Sequence, residues 1–213
     1  MSNPLTCRAE GFAATVIKRL DKATANKDHI YSIITGSSIN SNGRGIILTA
    51  PEADMQEEVI KQAYSLANRG LSDTFFVELH GTGTPMGDPI EVNAVGNIFS
   101  VGRKRDNFLR YVSITEATTN DVQFFFDRVG SVKANIGHTE GCSFLASLIK
   151  ISLMLNHKEI IPNIRYQKPN PKINNSNWKF MKVQTQVWTR IFVSNLQLPN
   201  RTISFSWNPS HQT

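Results

Sequence analysis

Apolar and polar positions come in blocks along this chain, and the blocks mark its elements. Phe12 to Ile17 is an apolar run of strand length and predicts a buried strand. Ile30 to Ser38 alternates loosely and predicts another. Between them residues 21–29 are polar and turn-like, and Asn40-Ser41-Asn42-Gly43-Arg44-Gly45 is a loop by composition. Pro51 opens a predicted helix on which Met55, Val59, Ala63, Leu66 and Ala67 share one face, with Gly70 ending it. Thr74-Phe75-Phe76-Val77 reads as a buried strand, and a helix is predicted from Pro89 to about Phe99. Residues 140–156 are apolar nearly all round, which predicts a buried central helix ending near His157. From Ile161 onward, Pro162, Pro169 and Pro171 impose extended backbone.

Composition narrows the picture. The chain has 213 residues, 40% of them hydrophobic and 19% charged, enough for one globular domain with its own core. No apolar run reaches membrane-spanning length and the first residues carry no signal-peptide pattern, so no membrane partner and a cytoplasmic location are expected. Cys7 and Cys142 form no disulfide framework and no metal spacing, so no metal is expected. The net charge is +6, but the 23 basic residues are scattered apart from Arg103-Lys104-Arg105, so no nucleic acid is expected. A basic surface suits an acidic protein partner instead.

Two stretches carry candidate chemistry. The first is Val77-Glu-Leu-His-Gly-Thr-Gly-Thr-Pro-Met-Gly-Asp-Pro-Ile-Glu91. His80 stands where a strand must end, and glycines at 81, 83 and 87 permit a tight, open turn. Asp88, Pro89 and Glu91 read as a capping box: an acidic N-cap, proline at the first helical position, and a carboxylate three residues after the cap. The second stretch is Val129-Gly-Ser-Val-Lys-Ala-Asn-Ile-Gly-His-Thr-Glu-Gly141, which repeats the plan: a short strand, Lys133, His138 beside a glycine, then the long apolar helix. Two strand-turn-helix units, each delivering a histidine, predict two imidazoles converging on one pocket.

Both stretches resemble the two histidine motifs of β-ketoacyl synthases, the condensing domains of polyketide and fatty-acid synthases. The resemblance covers roughly residues 6 to 190 and includes the Asn/Gly loop near residue 42, the Pro169-Asn170-Pro171 segment, Trp178 and Trp188. It implies an α/β fold of the thiolase-like, layered α-β-α-β-α kind, here mainly the C-terminal half. It also implies a decarboxylative Claisen condensation of acyl and malonyl-type thioesters. His80 and His138 match the two catalytic histidines, whose Nε2 protons would stabilise the oxygen on which charge develops. Lys133 matches the family's lysine, with a structural and electrostatic role that includes pairing with Asp88 and Glu91. Thr82 and Thr84 match hydroxyls that hydrogen-bond the phosphopantetheine arm. No covalently bound cofactor is implied; the arm belongs to an acyl carrier protein, the implied partner, and a homodimer is a further implied state.

The departures from the family matter as much. The nucleophilic cysteine of the family sits in an Asp-Thr-Ala-Cys-Ser-Ser type elbow, and nothing of that kind surrounds Cys7, which reads as a small packing residue. Cys142 reads as packing inside the helix after His138. Residues 101–128, with Phe124-Phe125-Phe126, have no counterpart and read either as a surface insertion or as the relic of a disturbed gene. Residues 1–190 are therefore expected to form a partial ketosynthase domain and 191–213 a degenerate tail, because no glycine follows Gly141 where the family has a glycine-rich loop. Without the elbow, the chain by itself is expected to be inactive in condensation. The alternative is a non-catalytic carrier-protein-binding or dimerisation module that keeps the fold.

Overall fold

The computed structural model describes residues 7–41, 52–74, 76–100, 127–164, 170–173, 181–183 and 202–207. The Arg103-Lys104-Arg105 cluster, the phenylalanine run, Trp178 and Trp188 lie outside these residues.

The described elements in chain order are α1 (Leu20–Ala25), β1 (Ile33–Ile39), α2 (Ala53–Ala67), β2 (Phe76–Glu78), α3 (Gly87–Ser100), β3 (Asp127–Gly130), α4 (Lys133–Ile136), α5 (Ser143–His157), β4 (Met181–Val183) and β5 (Thr202–Trp207). Single turns of tighter helix precede β2 at Leu71–Asp73 and α5 at Glu140–Cys142. The strands form two all-parallel groups, β1 beside β5 and the order β2-β3-β4. Parallel neighbours need a crossover, and α3 lies within the one between β2 and β3. The register places Phe76, Val77 and Glu78 opposite Arg128, Val129 and Gly130. A further bond from the Leu79 N–H to the Gly130 carbonyl (2.7 Å) carries the pairing one residue toward the histidine.

The core lies between α3 and the β2-β3 pair. Leu79, Val92, Val95, Ile98, Phe99 and Val129 are buried together, and Ile60 and Tyr64 of α2 close one side. The Phe99 ring meets Tyr64 edge-on at 5.6 Å. α3 buries residues on nearly every side, which its apolar sequence allows. α2 packs across β1 and β5 and against α3.

Several sequence expectations are corrected. Phe12 to Ile17 forms no strand: the stretch is irregular, with Phe12 and Val16 fully exposed, because a strand needs a partner and, among the described residues, pairing near it is limited to a lone bridge of Arg8 with His138. In α2 the buried positions are Gln56, Val59 and Ala63, while Leu66 is exposed. Asn68, not Gly70, ends that helix: it takes the left-handed conformation (φ 50°) that satisfies the last turn. α5 buries one stripe (Ser143, Leu148, Lys150, Met154) and exposes Leu153, so it is not covered all round. Cys142 is not inside that helix but at its N-cap. Thr202–Trp207, within the stretch set apart as a tail, runs parallel to β1 as a strand.

Candidate active site

His80 and His138 reach the same place from two parallel units. β2 ends at Glu78, and the chain turns through His80 and Gly81 into the loop before α3. β3 ends at Gly130, and Ser131 to Gly137 wraps the short α4 before His138. Because β2 and β3 are adjacent and parallel, both turns emerge at the same edge of the sheet. Gly81 (φ 51°) and Gly137 (φ 81°) take backbone conformations that a side chain disfavours, and a Cβ at Gly81 would lie 2.8 Å from the Ser131 Cβ. The two rings meet edge-on with centroids 5.2 Å apart and planes at 90°. They lie close enough to address one small group between them.

Carboxylates hold the turns, in a way the capping-box expectation did not foresee. Glu91 Oε1 accepts from the His80 N–H (2.6 Å) and Oε2 from the Gly81 N–H (2.9 Å). Asp88 Oδ1 accepts from the Gly83 N–H (3.0 Å). Both side chains therefore serve the preceding loop. The start of α3 is served by Thr84, whose hydroxyl oxygen accepts from the Gly87 N–H at 3.0 Å. The reason is burial: the loop's amide groups are removed from water and need acceptors, and helix residues projecting backwards supply them. The Thr82 hydroxyl donates to that of Thr84 at 3.4 Å. Thr84 keeps its own proton to donate outward, and Thr82 keeps lone pairs to accept. The Ser131 hydroxyl donates to the His80 carbonyl (3.1 Å) and ties one turn to the other.

The electrostatics favour a neutral His138. Burial pushes its pKa down, and the Lys133 charge pushes in the same direction; Glu140 opposes and Arg8 adds slightly. Its Nδ1 accepts from the Glu140 N–H (3.2 Å), so the neutral ring carries its proton on Nε2 and presents a donor. Lys133 is itself buried, and its pKa is lowered by desolvation against the pull of Glu91 and Glu78. Its link to Glu91 is thus through the field rather than the direct pair expected, with Asp88 a smaller contributor.

Two further charged residues belong to this site, and no motif in the sequence marks them. Glu78 and Lys150 form an ion pair of 2.6 Å, with side chains 3% and 5% exposed. Lys150 also stands over the Phe76 ring at 5.3 Å. The signal was there: a lone charge inside an apolar strand and another inside an apolar helix, each costly unless paired.

The profile described as beta-ketoacyl synthase, C-terminal domain, matches residues 31–119 and 113–167, well over half of the chain. The chain belongs to the β-ketoacyl synthase family. A highly reducing polyketide synthase of Leptosphaeria maculans is 41% identical over 171 residues, 80% of this chain and 6% of that protein. A hybrid PKS-NRPS synthetase of Aspergillus terreus is 39% identical over 182 residues, 85% of this chain and 24% of that protein. The chain thus spans at most a quarter of the length of these two relatives. Among solved structures, the oxazolomycin ketosynthase domain of Streptomyces albus superposes with TM-score 0.68 at 25% identity, over 82% of this chain and 28% of that one. The ketosynthase from module 6 of the Bacillus subtilis bacillaene synthase does so with TM-score 0.66 at 33% identity, over 84% and 30%. The fold is that of the thiolase-like ketosynthases, and this chain corresponds to the C-terminal half of the domain in type I polyketide synthases. Among the described residues no helix is long and apolar enough to cross a membrane, and no group of three His, Cys, Asp or Glu could hold a metal.

Proposed function

We propose that this ketosynthase half stabilises the enolate of a malonyl-type thioester and, by itself, does not complete a condensation. The observation that carries the reading is the edge-on contact of His80 and His138 at 5.2 Å. Two Nε2–H donors sharing one thioester oxygen would lower the cost of the negative charge that forms there. The C–C bond to the carboxylate breaks, carbon dioxide leaves, and its electron pair passes into the enolate. With no acyl thioester to attack, the enolate takes a proton and gives the acetyl-type thioester. Thr84 and Thr82 would grip the phosphopantetheine arm of an acyl carrier protein, and Lys133 would keep His138 neutral and donating. Cys7 is exposed, and the half-buried Cys142 occupies the N-cap position of α5 without a side-chain capping bond; neither is flanked by residues that match the family's Asp-Thr-Ala-Cys elbow.

The test is incubation of the purified chain with malonyl acyl carrier protein, following carbon dioxide and the acetyl product. Slow decarboxylation is expected, falling about a hundredfold in His80→Ala or His138→Ala. An unchanged rate in both variants sinks the reading. Intact-mass spectra after exposure to a reactive acyl thioester should show no stoichiometric label on Cys7 or Cys142. Rapid, selective labelling followed by β-ketoacyl product would show that a displaced thiol has taken over the nucleophile's role.

A further inference from the structure

Glu78 and Lys150 lie deep in the molecule, and the proposed chemistry uses neither. A buried ion pair is weak evidence for stability, since desolvation consumes most of what the attraction returns. What stands out is where the carboxylate's bonds go. One oxygen meets Lys150 Nζ at 2.6 Å. The other accepts from the Val132 N–H at 2.5 Å and from the Ser147 hydroxyl at 3.5 Å. Glu78 is the last residue of β2, two before His80. Val132 is the N-cap of α4, the turn that leads into His138. Ser147 and Lys150 lie on α5, which begins five residues after His138. A single carboxylate at the end of β2 therefore joins that strand to the two pieces of chain that flank His138.

We infer that Glu78, anchored by Lys150, is a positioning residue that sets the His138 turn against His80. The inference rests on the reading that the two rings act on one oxygen. The β2-β3 pairing does not need Glu78, because backbone bonds already make it. A carboxylate holds an amide about twice as strongly as a neutral acceptor does. The second oxygen, fixed on Lys150, leaves the first little room to move. The division of labour with Glu91 is clean: Glu91 takes the His80 and Gly81 amides, and Glu78 takes the amide at the head of the other turn. Burial raises the pKa of Glu78 and Lys150 opposes it. Without Lys150 the carboxyl would lose its main opposing charge and its pKa would rise further.

The test uses the full chain uniformly labelled with ¹⁵N, as wild type, as the double variant Glu78→Gln/Lys150→Met, and as Glu78→Asp. Far-UV circular dichroism and thermal melting report the fold. Ring ¹H–¹⁵N spectra report tautomer and titration, and cross-ring NOEs report the contact. In the folded double variant we expect the Val132 amide proton to move upfield, the His80–His138 NOE to vanish, and the His138 midpoint to rise toward the ordinary value of about 6.5. The charges acting on the His138 ring are Lys133, Glu140 and Arg8; Glu78 and Lys150 are not among them. Glu78 and Lys150 do act on Lys133, so the midpoint reports displacement rather than a changed charge in Glu78→Asp, which keeps both charges. Glu78→Asp keeps the charge but falls one methylene short, and it should give the same ring changes; it carries the test if the double variant does not fold. Unchanged contact, tautomer and midpoint in either folded variant overturn the inference. Unfolding of both also overturns it, by making the pair a requirement for folding rather than a positioning device. These readouts need no turnover, so absent decarboxylation would fault the proposed reaction while leaving the spectra to decide the positioning role.

Discussion

His138 stays neutral first because it is buried and second because Lys133 is near. The sign follows directly. Its folded pKa lies below the unfolded value, so the folded state binds fewer protons there. The stability this ring contributes is complete above the ordinary value of about 6.5 and is lost as pH falls through the lowered folded value. NMR titration should place the His138 midpoint below 6.5, and Lys133→Met should raise it by removing a lowering charge. A midpoint indifferent to Lys133 would mean that burial alone sets it. At this scale the histidines were legible because each sits in a long motif. The partners of those motifs were not, since nothing in the spacing says that Glu91 turns back to the His80 amide instead of capping its own helix.

At the scale of elements, the Glu78–Lys150 pair joins β2 to α5 with both side chains almost dry. Removing one partner leaves an uncompensated charge, and removing both does not. Lys150→Met is expected to cost about 3–5 kcal/mol in urea unfolding, whereas the Glu78→Gln/Lys150→Met double variant should recover most of that loss. Equal losses in the two would show that the cost is one of packing and not of charge. Hydrophobic period found β1, α2, β2, α3 and α5 at nearly the right places, because each has a face the core can use. It failed on Phe12–Ile17, where the pattern of a buried strand exists but, among the described residues, no neighbouring strand pairs with it.

For the molecule as a whole, the segment before α1 leaves apolar surface in water. Phe12 and Val16 are fully exposed and Ile17 is 74% exposed, an apolar strip beside the bridge to His138. Exposed strips of this kind associate. Sedimentation velocity should show the purified chain self-associating with rising concentration, and Phe12→Ser/Val16→Thr should weaken the association without lowering the melting temperature. A monomer at all concentrations would count against it.

The sequence by itself determined the family, the order of most strands and helices, and the two histidines, because these are local: a motif or a period is written in consecutive residues. The tertiary structure decided which charges are buried, which carboxylate serves which amide, and which apolar run lacks a partner. Glu78 and Lys150 are 72 residues apart in the chain and 2.6 Å apart in the fold. Thr202–Trp207 lies beside β1 across more than 160 positions. Such pairings depend on how the parallel strands and their crossovers stack, and no window of neighbouring residues contains that information.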